Sequence, residues 1–211
     1  MITNRSGMMI ILSSPSGAGK TTLAKMIAKQ NSDFVVSVSY TTRKPRPHEQ
    51  DGKDYYFVDI NEFKRLISDN YFFEYAQVFD NYYGTAKKNV LKYLSLGKNV
   101  LFDIDWQGTQ QLKKRITDQK LVTIFILPPG IEVLRNRLVN RDQDGKQLAK
   151  HRMKIFKKEV LHWTEYDYVV INNDLNDCYD QIFSIINLEK EGKKFTYDVQ
   201  TIEKTIENLL K

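Results

Sequence analysis

The stretch IILSSPSGAGKTTL, Ile10 to Leu23, constrains this chain more than any other. An apolar run over residues 8–12 predicts a short buried strand. A Gly-rich turn follows, made of Ser14, Pro15, Ser16, Gly17, Ala18 and Gly19. Lys20, Thr21 and Thr22 then open a helical pattern in which Leu23, Met26 and Ile27 are apolar. Strand, Gly-rich turn, Lys-Thr and helix is the layout of a cradle for nucleotide phosphates. Small residues let backbone N–H groups converge on phosphate oxygens, and the helix N-terminus adds partial positive charge. Lys20 is placed to reach the β- and γ-phosphates, and the Thr21 hydroxyl to ligate Mg²⁺. Where the general pattern has Gly, this chain has Ser14; Pro15 pushes that position toward an extended conformation, which Ser adopts without strain. An ordinary turn between strand and helix is the weaker reading, because Lys-Thr and both flanking elements are in place.

Beyond this stretch, strands and helices alternate. Helical spacing is expected over 20–31, a strand over 34–39, and a charged, Pro-containing loop over 41–54. A strand over 55–58, a helix over 61–68, an aromatic strand over 71–79 and a polar turn over 80–84 come next, then a helix over 86–96. Strands at 99–104, 121–127 and 168–171 alternate with helices at 107–115, 131–139 and 177–190. Residues 140–150 read as an exposed mobile segment and 150–165 as a basic helix. The fold class is therefore α/β: a parallel sheet with helices on both faces, interrupted around 35–97 by a mixed lobe. In 191–211, Val199, Ile202, Ile206 and Leu209 make a helical stripe expected to pack on the body.

A chain of 211 residues suffices for one sizeable core carrying such a lobe. Basic residues outnumber acidic ones, 32 to 26, which suits a protein that handles polyanions, nucleotide or nucleic acid alike. The single cysteine, Cys178, excludes an internal disulfide and points to a reducing compartment, so a cytoplasmic location is expected. No apolar run approaches a membrane span, and the N-terminal residues read as a strand rather than a signal peptide.

Two further clusters carry chemistry. Asp103 and Asp105 end a buried strand, where parallel sheets place their ligands and where a carboxylate can hold Mg²⁺ or its waters. The bland reading of Asp105 is a helix cap. Arg43 and Arg46 stand three apart in a Pro-stiffened loop, and forked guanidinium donors suit phosphate. Arg135, Arg137, Arg141 and Arg152 gather around the polar segment at 140–150, a pattern fitting stabilisation of a transferring phosphoryl group. The three histidines, His48, His151 and His162, are scattered and read as structural.

Four blocks then carry a family resemblance: SPSGAGKTTL at 14–23, SVSYTTRKPRPHEQDGKDYYFV at 37–58, FFEYAQVFDNYYGT at 72–85 and LFDIDWQG at 101–108. Over roughly 8–190 the chain resembles guanylate kinases, P-loop nucleoside monophosphate kinases. The resemblance implies a core (1–34, 98–139 and 166–190), a GMP-binding lobe (35–97), a helical lid (140–165) and a C-terminal helical extension (191–211). It implies that Arg43, Arg46, Tyr55 and Tyr83 bind the GMP phosphate, and that Ser39, Glu74 and Thr85 read guanine with Asp103 nearby. Arg137, Arg141 and Arg152 resemble lid-side arginines on the transferring phosphates, and Asn172 the residue near the adenine of ATP and the lid. Thr85 stands where Ser is common in the family, and His48 where Gly is usual.

The expected activity is ATP-dependent phosphorylation of GMP, and of dGMP, to the diphosphate, with Mg²⁺ as cofactor, supplying GTP. ATP and GMP are the expected partners, with neither nucleic acid nor membrane, and the oligomeric state is open between monomer and homodimer. Two rivals remain: a peptide-binding scaffold domain of the same fold, and a kinase of sugar phosphates. The first usually has a degraded phosphate loop, whereas Gly17, Gly19, Lys20 and Thr21 are all present here. The second has no use for residues that read guanine.

Overall fold

A computed structural model describes residues 7–78, 80–141 and 146–211, with side chains except those of residues 140–151. In chain order the elements are β1 (Met9–Ser13), α1 (Lys20–Gln30), β2 (Phe34–Val36), β3 (Tyr40–Thr41), β4 (Tyr56–Phe57), α2 (Ile60–Ser68), β5 (Phe72–Val78), β6 (Asn81–Ala86) and α3 (Lys87–Ser95). There follow β7 (Asn99–Asp103), α4 (Trp106–Arg115), β8 (Leu121–Leu127), α5 (Ile131–Arg141), α6 (Lys146–Glu159) and a 3-10 turn over Val160–Glu165. The chain closes with β9 (Tyr168–Ile171), α7 (Leu175–Lys190) and α8 (Val199–Leu210).

Two sheets form. The first has the order β2-β7-β1-β8-β9 and is parallel throughout. Every residue of β1 is buried, as befits a strand covered on both faces, which explains its unbroken apolar run. One apolar cluster lies between this sheet and α1 and α7, around Leu23, Ile27, Ile182 and Ile186. Another faces α3 and α4 through Val90, Leu94 and Leu112. The second sheet, β4-β3-β6-β5, is mixed and packs its own aromatic cluster of Phe63, Leu66 and Phe72. It docks on the core through α4: the Gln111 side chain accepts from the Tyr75 N–H at 3.2 Å and donates to the Tyr75 carbonyl at 2.7 Å.

Helix starts follow their caps. Asp59 accepts from the N–H groups of Asn61 and Glu62, and Asp174 from those of Asn176 and Asp177. α1 begins differently: Gly19 precedes it at φ 99° and no side chain caps it, so its first N–H groups keep their capacity for an anion.

Several expectations need correction. The strand expected over 34–39 stops at Val36, and the chain reaches the second sheet only at Tyr40. The polar turn expected over 80–84 is mostly β6, whose Tyr82, Tyr83 and Gly84 pair with Gln77, Ala76 and Tyr75 of β5. Asn and Gly are turn residues by local propensity, but pairing on both edges of β6 overrides them. Where 140–150 was expected to be exposed and mobile, α5 extends to Arg141 and α6 starts at Lys146; residues 142–145 lie outside the described residues. The basic helix expected over 150–165 ends at Glu159 and tightens into the 3-10 turn. No described helix is long and apolar enough to cross a membrane.

Candidate active site

A cavity of about 740 Å³ opens where β1 and β7 end, the edge at which parallel sheets hold ligands. Its floor is the loop after β1: Ser14, Pro15, Ser16, Gly17, Gly19, Lys20, Thr21 and Thr22 all line it. Gly17 and Gly19 sit at φ 92° and 99°, a region that side chains disfavour. A Cβ on Gly19 would stand 2.4 Å from the Asn172 amide nitrogen. That amide, buried at the end of β9, donates to the Ala18 carbonyl at 2.7 Å and so braces the loop from below. Asn172 Oδ1 is buried with no hydrogen-bond partner in the structure. Ala18 itself is fully buried behind the lining.

Lys20 is poised rather than loose. Its ammonium pairs with Asp103 at 2.9 Å and donates to the Ile104 carbonyl at 2.9 Å. Asp105 lines the same wall but is engaged in capping α4, accepting from the Gly108 N–H at 3.0 Å. The bland reading of Asp105 thus holds without removing it from the cavity. Thr21, Asp103 and Asp105 present hard oxygen donors to one space, which fits Mg²⁺ held mainly by nucleotide phosphates and water. Among the described residues no three acidic, His or Cys side chains form a metal cage of their own.

The second sheet supplies the opposite wall: Ser39, Arg43, Arg46, Tyr55, Glu74 and Tyr83. The two arginines are organised by Glu49, which sequence reasoning passed over. Its carboxylate accepts from Arg43 at 2.8 and 2.9 Å, from the Arg46 backbone N–H at 2.8 Å and from the Arg46 guanidinium at 3.4 Å. Burial alone would raise the Glu49 carboxyl, but these donors outweigh it and hold it below the usual range. The Arg43 guanidinium also lies 5.2 Å from the Tyr55 ring centroid. The only hint of Glu49 in the sequence is an acid six residues after one arginine and three after the other.

Deeper in, Glu74 is buried at 3 % exposure. Thr85, fully buried behind it, donates its hydroxyl to Glu74 at 2.6 Å. Burial pushes the Glu74 carboxyl up to about 7; the Thr85 bond opposes this, Asp105 adds to it, and Lys20 offsets part.

The third wall comes from α5, α6 and their surroundings: Arg137, Arg152 and Glu159. Arg152 is buried, and Arg137 Nη1 is buried with no hydrogen-bond partner among the described residues. The side chain of Arg141, the last residue of α5, lies outside the described residues. Arg135 points elsewhere, paired with Glu132 at 2.8 Å on an exposed surface. Glu159 is a second residue the sequence did not flag. It accepts from the Ser16 N–H at 3.4 Å, and burial raises its carboxyl above the usual value. Its only sequence signal is an acid two helical turns beyond Arg152 on the same face.

A family model described as guanylate kinase matches residues 6–189. Curated guanylate kinases of Maricaulis maris and Rickettsia bellii are 50% and 48% identical to the chain, covering 88% and 91% of it and 85% and 100% of themselves. The crystal structure of guanylate kinase from Anaplasma phagocytophilum superposes with a TM-score of 0.73 at 38% identity, covering 88% of this chain and 87% of that one.

Proposed function

The chain belongs to the guanylate kinase family and is an ATP-dependent kinase of GMP; on that premise we propose how its cavity divides the work. ATP lies on the phosphate loop, with its phosphates on the N–H groups of 16–21 and on Lys20, and its adenine toward Asn172. GMP lies against the second sheet, its phosphate on Arg43, Arg46, Tyr55 and Tyr83 and its base on Ser39 and Glu74, with Thr85 acting through Glu74 and Asp103 near. Residues 35–97 act as the acceptor lobe and 140–165 as a lid over the remaining core segments. The observation that supports this reading is that Lys20, Arg43, Arg46 and Glu74 line one cavity, with Glu49 holding the two arginines and Thr85 holding Glu74 from behind.

In the reaction an oxygen of the GMP phosphate attacks the γ-phosphorus of ATP in line. One P–O bond forms, the bond to the β–γ bridging oxygen breaks, and ADP and GDP result. The attacking group needs no base, since a phosphate monoester with a second pKa of about 6 is already largely ionised at neutral pH. This chain's contribution is alignment and charge. Lys20, released from Asp103 as phosphates arrive, meets the charge on the transferring group together with Arg137, Arg141 and Arg152. Thr21, with Asp103 or Asp105 through water, would hold Mg²⁺, and the ion would add neutralisation of the phosphate oxygens.

Glu74 sets the acceptor. Ionised, it accepts from both N1–H and the 2-amino group of guanine, whereas adenine turns a lone pair toward it. Because the site grips base and phosphate, dGMP also serves as an acceptor. The GDP formed feeds GTP supply, in the cytoplasm, where the single buried Cys178 stays reduced. The test is ADP release with GMP, dGMP, AMP and ribose 5-phosphate as acceptors. GMP and dGMP should turn over and the others should not; equal turnover of AMP or of the sugar phosphate would refute the acceptor assignment.

A further inference from the structure

The matched family span ends at residue 189, and α8 lies beyond it. Three residues of its expected stripe are buried, Ile202, Ile206 and Leu209 at 5 %, 6 % and 1 % exposure, whereas Val199, at the first turn, is exposed. These three close an apolar cluster with Leu134 and Leu138 of α5 and with Phe156 of α6. At its C-terminal end the last carbonyls of α8 lack intrahelical partners. The Lys157 ammonium, from α6, donates to one of them, the Leu210 carbonyl, at 2.6 Å. A cation suits that end of a helix.

α8 packs on β9 and shares this cluster with α5 and α6, the helices that carry the arginines of the third wall. Arg137 lies between Leu134 and Leu138 in sequence, and Arg152 one turn before Phe156. The same two leucines lie against the phosphate loop. A Cβ on Gly17 would stand 2.9 Å from Leu134 Cδ1 and 3.1 Å from Leu138 Cδ2. One cluster thus touches α8, the arginine helices and the phosphate loop. Among the described residues Arg137 Nη1 has no hydrogen-bond partner, so the packing of α5 bears on where that end of the side chain points.

We propose that α8 is a positioning element for phosphoryl transfer: by packing on α5 and α6 it holds Arg137 and Arg152 toward the phosphate loop. This rests on the role proposed above for those arginines. The variants to compare are Ile206→Ala/Leu209→Ala, Lys157→Met, Arg137→Ala and a control, Leu94→Ala. Leu94 is buried in another cluster, and its carbonyl accepts from the Gly7 N–H at the far end of β1 from the cavity. Kinetics are measured at a temperature where circular dichroism shows each variant folded. The double variant should lose about tenfold in kcat, within the hundredfold that a small misplacement can cost. Its KM for GMP should stay within twofold. Lys157→Met should lose about twofold to threefold in kcat by the same route. Leu94→Ala, with a comparable drop in Tm, should keep its kcat within twofold.

An equal loss of kcat in Leu94→Ala at matched Tm, or unchanged kcat in the α8 variants, overturns the proposal. Should the double variant not fold, Lys157→Met and Ile206→Val carry the same test, and unchanged kcat in both overturns it. Arg137→Ala separates the two claims: if it turns over normally, the arginine reading fails; if it is slow while the α8 variants are normal, only the positioning role fails.

Discussion

Two walls of the cavity, the phosphate loop and the face from the second sheet, are built from different materials. The phosphate-loop wall is main chain: N–H groups aimed by two glycines at positive φ and propped by the Asn172 amide on Ala18. The wall from the second sheet is side chain held by side chain: Arg43 and Arg46 on Glu49, and Glu74 on Thr85. A main-chain cradle suits an anion common to many substrates and leaves little for single side chains to decide, save Lys20. A side-chain wall can discriminate, but each member depends on a partner that must itself be placed. Function on the first wall should therefore concentrate in one residue, and on the second should spread over several.

Lys20→Ala is the largest expected break. Its kcat should fall by about 10³ or more, the scale of a lost charge at a transferring phosphoryl group, while GMP affinity and fold are retained. Single-turnover kinetics with isothermal titration of GMP checks both parts, and near-normal turnover would remove the contrast between the walls.

Glu74→Gln should narrow the GMP-over-AMP ratio of kcat/KM by roughly 10–100-fold, since a charge-assisted hydrogen bond contributes about 1.5–3 kcal/mol and the amide can offer adenine a donor. ATP affinity should change little. A ratio within twofold of wild type would mean that the base is read elsewhere.

The same residue links stability to pH. With Glu74 raised from 4.5 to about 7 by burial, the folded chain keeps a proton between those values that the unfolded chain has released. Stability therefore falls as pH rises through that window, by up to about 3 kcal/mol for the full displacement. Glu74→Gln abolishes this dependence, so its Tm relative to wild type should climb between pH 5 and pH 8. GMP binding runs the other way and should weaken in the wild type as pH falls below about 7, where the carboxylate takes up a proton. A Tm difference flat from pH 5 to 8 would show that Glu74 is not desolvated in solution.

The smallest effect belongs to a residue that need touch no substrate. Glu49→Ala should raise the KM for GMP roughly fivefold, about 1 kcal/mol, by loosening both arginines, with KM for ATP unchanged. Equal changes in both would mean that the loop carrying Arg43 supports the whole cavity rather than one wall.

The phosphate-loop wall was legible because its sequence signal is local. Small residues, a Lys-Thr pair and the strand-to-helix change in apolar period lie within fourteen consecutive residues, Ile10 to Leu23. The core strands at 121–127 and 168–171 were legible for the same reason, as was the stripe of α8. The residues of the second wall were singled out through a long family motif, save Arg43 and Arg46, whose spacing in a Pro-stiffened loop already suited phosphate.

What the tertiary structure alone decided is non-local. β6 is a strand because β3 and β5 flank it, against the turn propensity of its Asn and Gly. Glu49 and Glu159 matter because the fold brings each to a donor, and a charged residue in a loop or at a helix end carries no mark of that beforehand. Lys20 spans 83 residues of chain to reach Asp103, and Asn172 reaches 154 residues back to Ala18. Local sequence sets backbone geometry through steric limits on φ and ψ. The partner of a buried polar group depends on which distant segments the apolar core forces together.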